Sequence, residues 1–172
     1  MLGGVLLNIL VFSDSHGHGD RIEEVVKRQI TLPDAIFFLG DGLRDLAWCD
    51  FGGSRLYAVR GNCDFYAPDG TCDEIFTELD GIKIFAAHGH KYSVKSGYLP
   101  MAARAAALGA DIMLFGHTHT PVSCVLDTGD TSLGVSLTKK LYVMNPGSIG
   151  QGKSFGNITV RNGVILPSLS DA

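Results

Sequence analysis

The sequence predicts an α/β fold in which two β-sheets pack face to face with helices outside. Three observations predict it. Apolar runs of strand length recur at 6–12, 36–39, 84–87 and 112–115, and the first has the bulk of a strand buried on both faces. In the first third of the chain such strands alternate with helical segments, the pattern of parallel pairing through right-handed crossovers. From about residue 73 tight turns join neighbouring strands instead, which marks antiparallel pairing.

Taken in order, the run 6–12 ends abruptly in Asp14, His16 and His18. Residues 20–29 read as a helix with Ile22, Val25 and Val26 on one face and charges opposite. The break at Leu32, Pro33 and Asp34 leads into a strand at 35–39. Gly40, Asp41 and Gly42 then open a short helix at 43–48, which Gly52 and Gly53 close. A strand at 56–59 delivers Arg60, Gly61, Asn62, Cys63 and Asp64. Strands at 75–79 and 82–87 flank Asp80 and Gly81, a strong two-residue hairpin signal. The Ala-rich segment 99–108 with Gly109 behind it reads as a helix with a glycine cap. Short strands are expected at 112–115, 122–126, 141–144, 158–160 and 164–166, with Asn162 and Gly163 turning the last pair. The Gly-, Ser- and Thr-rich segment 127–139 reads as a long exposed loop.

A chain of 172 residues is expected to form one domain, 1–172, with enough length to bury most of its apolar surface. At 45% hydrophobic and 19% charged residues it is not a disordered chain. A formal net charge of −4 argues against a nonspecific nucleic-acid surface. The apolar run 5–12 is too short to span a bilayer and lacks a basic leader, so no membrane association or secretion is expected. Cys49, Cys63, Cys72 and Cys124 show no CxxC spacing and no disulfide framework, which suits a reducing, cytoplasmic setting. The sequence leaves a homo-oligomer open.

All six histidines fall in three His-x-His pairs, each just past an apolar strand. In open α/β sheets ligands bind beyond the carboxyl ends of the strands. The candidate ligands are Asp14, His16, Asp41, Asn62, His88, His117 and His119. Imidazole with carboxylate suits Mn, Fe, Zn, Co or Ni better than Mg or Ca. Seven donors are too many for one ion and about right for two sharing a carboxylate. Two ions about 3.5–4 Å apart form a clamp for in-line attack on phosphorus by a bridging water. Each piece also has a purely structural reading. Gly40 and Asp41 could be only a turn, Asn62 a loop cap or left-handed residue, and Asp14 to His16 a helix cap. Four such elements at the ends of four strands weigh against that reading. His18 and His90 are surplus members of their pairs, substrate-facing or merely lining the cleft; His90 joins Asp41 and Asn62 as a candidate catalytic group.

Asp14 and His16, Gly40 and Asp41, Gly61 to Asp64, His88 to His90, and Gly116 to His119 together resemble the calcineurin-like metallophosphoesterases, with the small single-domain phosphodiesterase branch the nearest look-alike. The resemblance runs from about Leu6 to Ser148. It implies a four-layer α/β/β/α sandwich with a dinuclear site at one edge, and hydrolysis of small organic phosphoesters. It also implies that Asp14, His16 and His119 hold one divalent transition metal and Asn62, His88 and His117 the other, with Asp41 bridging. Asn145 to Ser148 also resembles the end of the branch pattern. Many family members carry histidine where Cys63 stands; here it reads as a buried small hydrophobe or a weak acid facing substrate. The Pro-Arg that often follows the Asn145–Ser148 element is replaced by Gly150, Gln151, Gly152 and Lys153. The competing function is a non-catalytic scaffold module on the same fold, which the intact ligand set disfavours. A nuclease would want a basic strip near the cleft, and Lys91, Lys95 and Arg104 read more simply as a solvated face.

Overall fold

The computed structural model describes residues 6–131, 134 and 137–172. Val5 of the first apolar run, and positions 132, 133, 135 and 136 of the expected 127–139 loop, lie outside them. Ten strands form two mixed five-stranded sheets. In the first, β1 (Leu6–Phe12), β2 (Ala35–Phe38) and β3 (Arg55–Ala58) run parallel. Of the last two strands, β9 (Ser154–Arg161) pairs antiparallel with the free side of β1, and β10 (Val164–Asp171) pairs antiparallel with β9 at the sheet edge. The second sheet has β5 (Ile82–Ala87), β6 (Ile112–Leu114) and β8 (Leu141–Asn145) mutually parallel at its centre. The antiparallel strands β4 (Glu74–Leu79) and β7 (Val122–Leu126) form its edges.

Period-two alternation explains the apolar runs and builds the layers. Ile9 and Val11 of β1 turn into the space between the sheets, where they join Phe37, Ile84, Ile112 and Met144. Leu10 and Phe12 turn the other way, onto Ile22, Val25 and Val26 of helix α1 (Gly19–Lys27). On the second sheet Phe85 and Met113 face Met101, Ala102 and Ala105 of helix α2 (Leu99–Ala107). The result is the α/β/β/α sandwich. Fully burying a Val, Ile or Phe side chain is worth about 1.5–3 kcal/mol, so the dry inter-sheet layer carries much of the drive that holds the sheets together.

Both expected hairpin turns form: Asp80 and Gly81 have φ of 48° and 82°, Asn162 and Gly163 of 53° and 77°, as a type I′ turn requires. Three differences from expectation have physical causes. The segment Leu43–Trp48 is a 3₁₀ helix with no fully buried residue; its Leu43 and Leu46, three residues apart and so aligned by the 3₁₀ period, pack partly buried against the α1 layer. The final hairpin extends well beyond 158–160 and 164–166 because β9 is wedged between β1 and β10, and backbone pairing on both sides outweighs its weak apolar pattern. Within the 127–139 loop, Leu137 is not exposed but buried against the α2 layer. No helix among the described residues is long and apolar enough to cross a membrane.

Candidate metal centre

The parallel strands of both sheets end at one edge of the sandwich, and the candidate ligands follow those ends directly. β1 leads to Asp14 and His16, β2 to Asp41, and β3 to Asn62. β5 leads to His88, and β6 to His117 and His119. The two sheets are stitched together here. His117 N–H donates to Asp14 Oδ2 at 3.0 Å, and His88 Nδ1 lies 2.6 Å from Leu39 O. A carbonyl only accepts, so Nδ1 carries the proton and His88 presents the lone pair of Nε2 inward.

Asp14, His16 and His119 offer donor atoms all within 4.8 Å of one another, and so do Asp41, His88 and His117. A third group, His16, Asp41 and Cys63, overlaps both. Asn62 Oδ1 lies 3.1 Å from His88 Nε2, which brings the seventh donor to the second group. The structure therefore gathers all seven residues at one place. Asp14, Asp41 and His88 form the buried floor, while His16 and Asn62 are exposed at the rim.

The donor set fits divalent cations on its own evidence. Asp14 Oδ2 is satisfied by Ser13 Oγ and by His117, but the buried Oδ1 has no hydrogen-bond partner, although His119 Nε2 lies 3.0 Å away. His16 Nε2 and His119 Nε2 are 3.4 Å apart, and His88 Nε2 and His117 Nδ1 3.2 Å. Facing ring nitrogens repel unless a proton or a cation lies between them. The backbone is also shaped to this end. Asp14, His16, Asp41, His117 and His119 all have positive φ, between 45° and 66°, a region that non-glycine residues enter at a cost. Gly61 is there because a Cβ would meet Asp41 Oδ1 at 2.1 Å.

Electrostatics follows the same arrangement. Burial alone would raise the Asp41 pKa, but hydrogen bonds from His88 and the Cys63 N–H, with the positive charge of His88, hold it well below the usual carboxylate range. His88 is pulled down by burial and raised on balance by the Asp41 hydrogen bond and the charges of Asp14 and Asp41. His117 is lowered to about 4, first by burial and then by the neighbouring His88 and Lys95. His90 is lowered for the same first reason and by His88 and Lys91. Its ring centroid sits 5.4 Å from that of His88, and its Nδ1 is buried without a partner. His18 joins no ligand group; it precedes α1 and makes no side-chain cap. Nor do Asp14 and Ser15 cap that helix, so the capping alternative is excluded.

Several supporting residues have roles that the sequence does not assign them. The Asp64 carboxylate accepts four backbone N–H groups, from Asp41 and Gly61 at 2.8 Å and from Gly42 and Leu43 at 2.9 Å. Asp45 Oδ2 ties down Ser15 Oγ at 2.5 Å and Gly17 N at 2.8 Å. Asn145 Nδ2 donates to Gly116 O and Thr118 Oγ1, both at 2.9 Å, holding the third loop. His119 Nδ1 donates to Gln151 Oε1 at 3.0 Å, which turns Nε2 towards Asp14. That gives a physical role to the segment where the chain departs from the family pattern.

Cys63 is exposed, not buried, which corrects the reading of it as a small hydrophobe. Its Sγ nevertheless lies within 4.8 Å of donor atoms of His16 and Asp41, on the open side of the site. It lines a cleft of about 280 Å³ that opens from His16 and Asp41 towards Arg44, Phe65 and Tyr66. Burial and the neighbouring Asp41 raise its thiol pKa.

A two-sheet sandwich that gathers oxygen and nitrogen donors at its strand ends is the architecture of a metallophosphoesterase. The chain belongs to the calcineurin-like phosphoesterase superfamily, whose domain model matches residues 7–162. It is 34% identical over 161 residues to the probable metallophosphoesterase YsnB of Bacillus subtilis, covering 91% of this chain and 86% of that protein. A Streptococcus pneumoniae protein described as a predicted phosphoesterase matches in structure with a TM-score of 0.76 and 28% identity, over 97% of this chain and 90% of that one. The fold is shared with Vps29 of Cryptosporidium parvum, at a TM-score of 0.68, 16% identity and 98% coverage of both chains. It is shared equally with an archaeal phosphodiesterase, at 0.68 and 20%, over 95% of this chain and all of that one.

Proposed function

We propose that this protein is a dinuclear phosphodiesterase acting on small organic phosphate esters. Asp14, His16 and His119 hold one ion, Asn62, His88 and His117 the other, and Asp41 bridges. The observation that carries this reading is the overlap of the three donor groups: the third, His16, Asp41 and Cys63, shares His16 with the first and Asp41 with the second. A carboxylate in that position can reach both ions. When bound, two divalent cations stabilise charge on the phosphoryl oxygens and lower the pKa of a water towards about 7. Four imidazoles among seven donors favour Mn, with Fe, Zn, Ni or Co as alternatives, over Mg.

The chain supplies the rest. Leu39 O and Gln151 orient His88 and His119, and Asp64 holds Asp41 in place. His90, neutral near pH 7 because its pKa is lowered, is the group we assign to proton transfer beside the site. A diester is favoured over a monoester by charge. The cleft is lined by Asp41, Asp45 and Asp64 and by one arginine, Arg44, so a singly charged phosphate is opposed less than a doubly charged one. An archaeal phosphodiesterase with the same fold agrees with that reading. Four free cysteines, two of them exposed, suit a cytoplasmic setting. The scaffold alternative draws only on the fold shared with Vps29, whereas here every ligand position is filled.

The test is direct. Protein stripped with chelator should lose hydrolysis of bis(p-nitrophenyl) phosphate and regain it with Mn at two ions per chain. Full activity in Mg alone with no transition metal bound would sink the metal assignment, and no hydrolysis with any metal would sink the enzyme reading.

A further inference from the structure

Phe65 and Tyr66 are 83% and 77% exposed, yet they stand in the same cleft as the candidate ligands His16 and Asp41. Large aromatics left in water on a turn forgo the burial that normally justifies them. The Arg44 guanidinium carbon lies over the Tyr66 ring, 4.8 Å from its centroid and within cation–π range. Arg44 makes no ion pair among the described residues. It is also the only lysine or arginine lining the cleft. The three carboxylates that share the cleft are already engaged: Asp64 by four backbone N–H groups, Asp45 by Ser15 and Gly17, Asp41 by Cys63 N–H and His88.

We infer that Arg44, Tyr66 and Phe65 form a stacking subsite for a planar aromatic group carried by the substrate, on the scale of one nucleobase. The substrates of the proposed site are then nucleoside phosphodiesters. Bases stack on aromatic rings and on guanidinium planes without regard to their hydrogen-bonding pattern. The size of the cleft sets the upper limit. At about 280 Å³ it lies just under the roughly 300–1,000 Å³ of ordinary ligand pockets. It holds one ring system beside the phosphate and not a run of stacked bases. The charges agree, since Arg44 has no ion pair among the described residues and its N–H groups can meet the phosphate or sugar oxygens of a bound ligand.

The inference rests on the phosphodiesterase reading for where the phosphate sits, and the experiment separates the two. Adenosine 5′-monophosphate and ribose 5-phosphate differ only in the base, and their binding to Mn-loaded protein is measured by calorimetry. Wild type should bind the nucleotide about tenfold or more tighter, the effect of one stacked base. Tyr66→Ala should bring the nucleotide down to the level of ribose 5-phosphate and leave ribose 5-phosphate itself unchanged. Tyr66→Trp should keep the preference, and Arg44→Ala should lose most of it. Equal binding of the two ligands by wild type overturns the subsite, as does a parallel loss of both in Tyr66→Ala. Hydrolysis of bis(p-nitrophenyl) phosphate is followed on the same preparations. If hydrolysis persists and the base preference is absent, the subsite fails alone; if the preference is present without hydrolysis of any diester, the enzymatic reading fails and the subsite stands.

Discussion

Replacing Asp64 by asparagine should damage both stability and metal binding, although Asp64 is not among the proposed ligands. Its two oxygens each accept two backbone N–H groups: Oδ2 those of Asp41 and Gly61, Oδ1 those of Gly42 and Leu43. Asparagine keeps one acceptor and turns an NH₂ group towards the other two donors, whichever way the amide is placed. Each donor left without a partner costs about 1–3 kcal/mol, or about 2–6 kcal/mol for two. Asp64 is half-buried, so water takes over part of the role and about 2–4 kcal/mol is the expected loss. At about 2–4 °C per kcal/mol for a chain of this size, that lowers Tm by about 4–16 °C. The assay is thermal unfolding of chelator-treated wild type and Asp64→Asn, followed by calorimetric titration of each with Mn. Because Asp41 hangs from this turn by its own N–H, the variant should also bind both ions more weakly. A Tm unchanged within about 1 °C, with wild-type metal stoichiometry, would refute the claim that this carboxylate organises the site.

The other predictions follow from single contacts. Asp41→Asn should lose both ions and turnover, whereas Asn62→Ala and His119→Ala should each retain one ion; elemental analysis and bis(p-nitrophenyl) phosphate hydrolysis distinguish these outcomes. Cys63→Ala should leave the rate nearly unchanged, and Cys63→His should flatten the dependence of rate on leaving-group pKa, because an imidazole at that rim position adds general acid catalysis worth typically 10²–10⁴-fold. That dependence is read from a series of aryl and alkyl diesters. Among the thiols, exposed Cys72 should react promptly with a disulfide reagent at pH 8. Cys49, half-buried and pushed up to about 11 by burial and by Glu23, Asp45 and Asp20, should react slowly. Thiolate, the reactive form, is scarce at that site until the pH nears its raised pKa. Mass mapping of modified cysteines against time tests the order.

The candidate site was legible because its residue types are conspicuous and because strand ends are where ligands collect in α/β sheets. Asp14, Asp41, His88 and His117 each follow an apolar run that could only be a buried strand, so their convergence needed no knowledge of the loops. The roles of the residues that hold them were not legible. Asp64, Asn145 and Gln151 act mainly on backbone groups or on a histidine more than twenty residues away in sequence, and a polar residue in a loop gives no hint of its distant partner. The exposure of Cys63 was hidden for the same reason, since burial of a loop cysteine depends on which distant segments fold over it. The long β9 and β10 were missed because their pattern is weak. Gly156 sits where a Cβ would meet the Met144 sulfur at 2.4 Å, and Pro167 interrupts the second strand. An edge strand tolerates that proline, and only the placement of β9 beside β1 reveals the length of the pair.

The five ligands held at positive φ have an evolutionary consequence. Asp and His are among the types that enter this region most readily, yet each still gives up about 1 kcal/mol relative to glycine. Together that is about 5 kcal/mol, comparable with the lower end of the whole net stability of a domain. Selection for the chemistry is what keeps those side chains there. A lineage released from it gains backbone freedom by exchanging them for glycine or asparagine, at the cost of the bond from His117 N–H to Asp14 but of nothing in the core between the sheets. The sandwich can therefore outlive its metals, and the first trace of a lost activity is relaxed loop backbone at the strand ends rather than any change in the core.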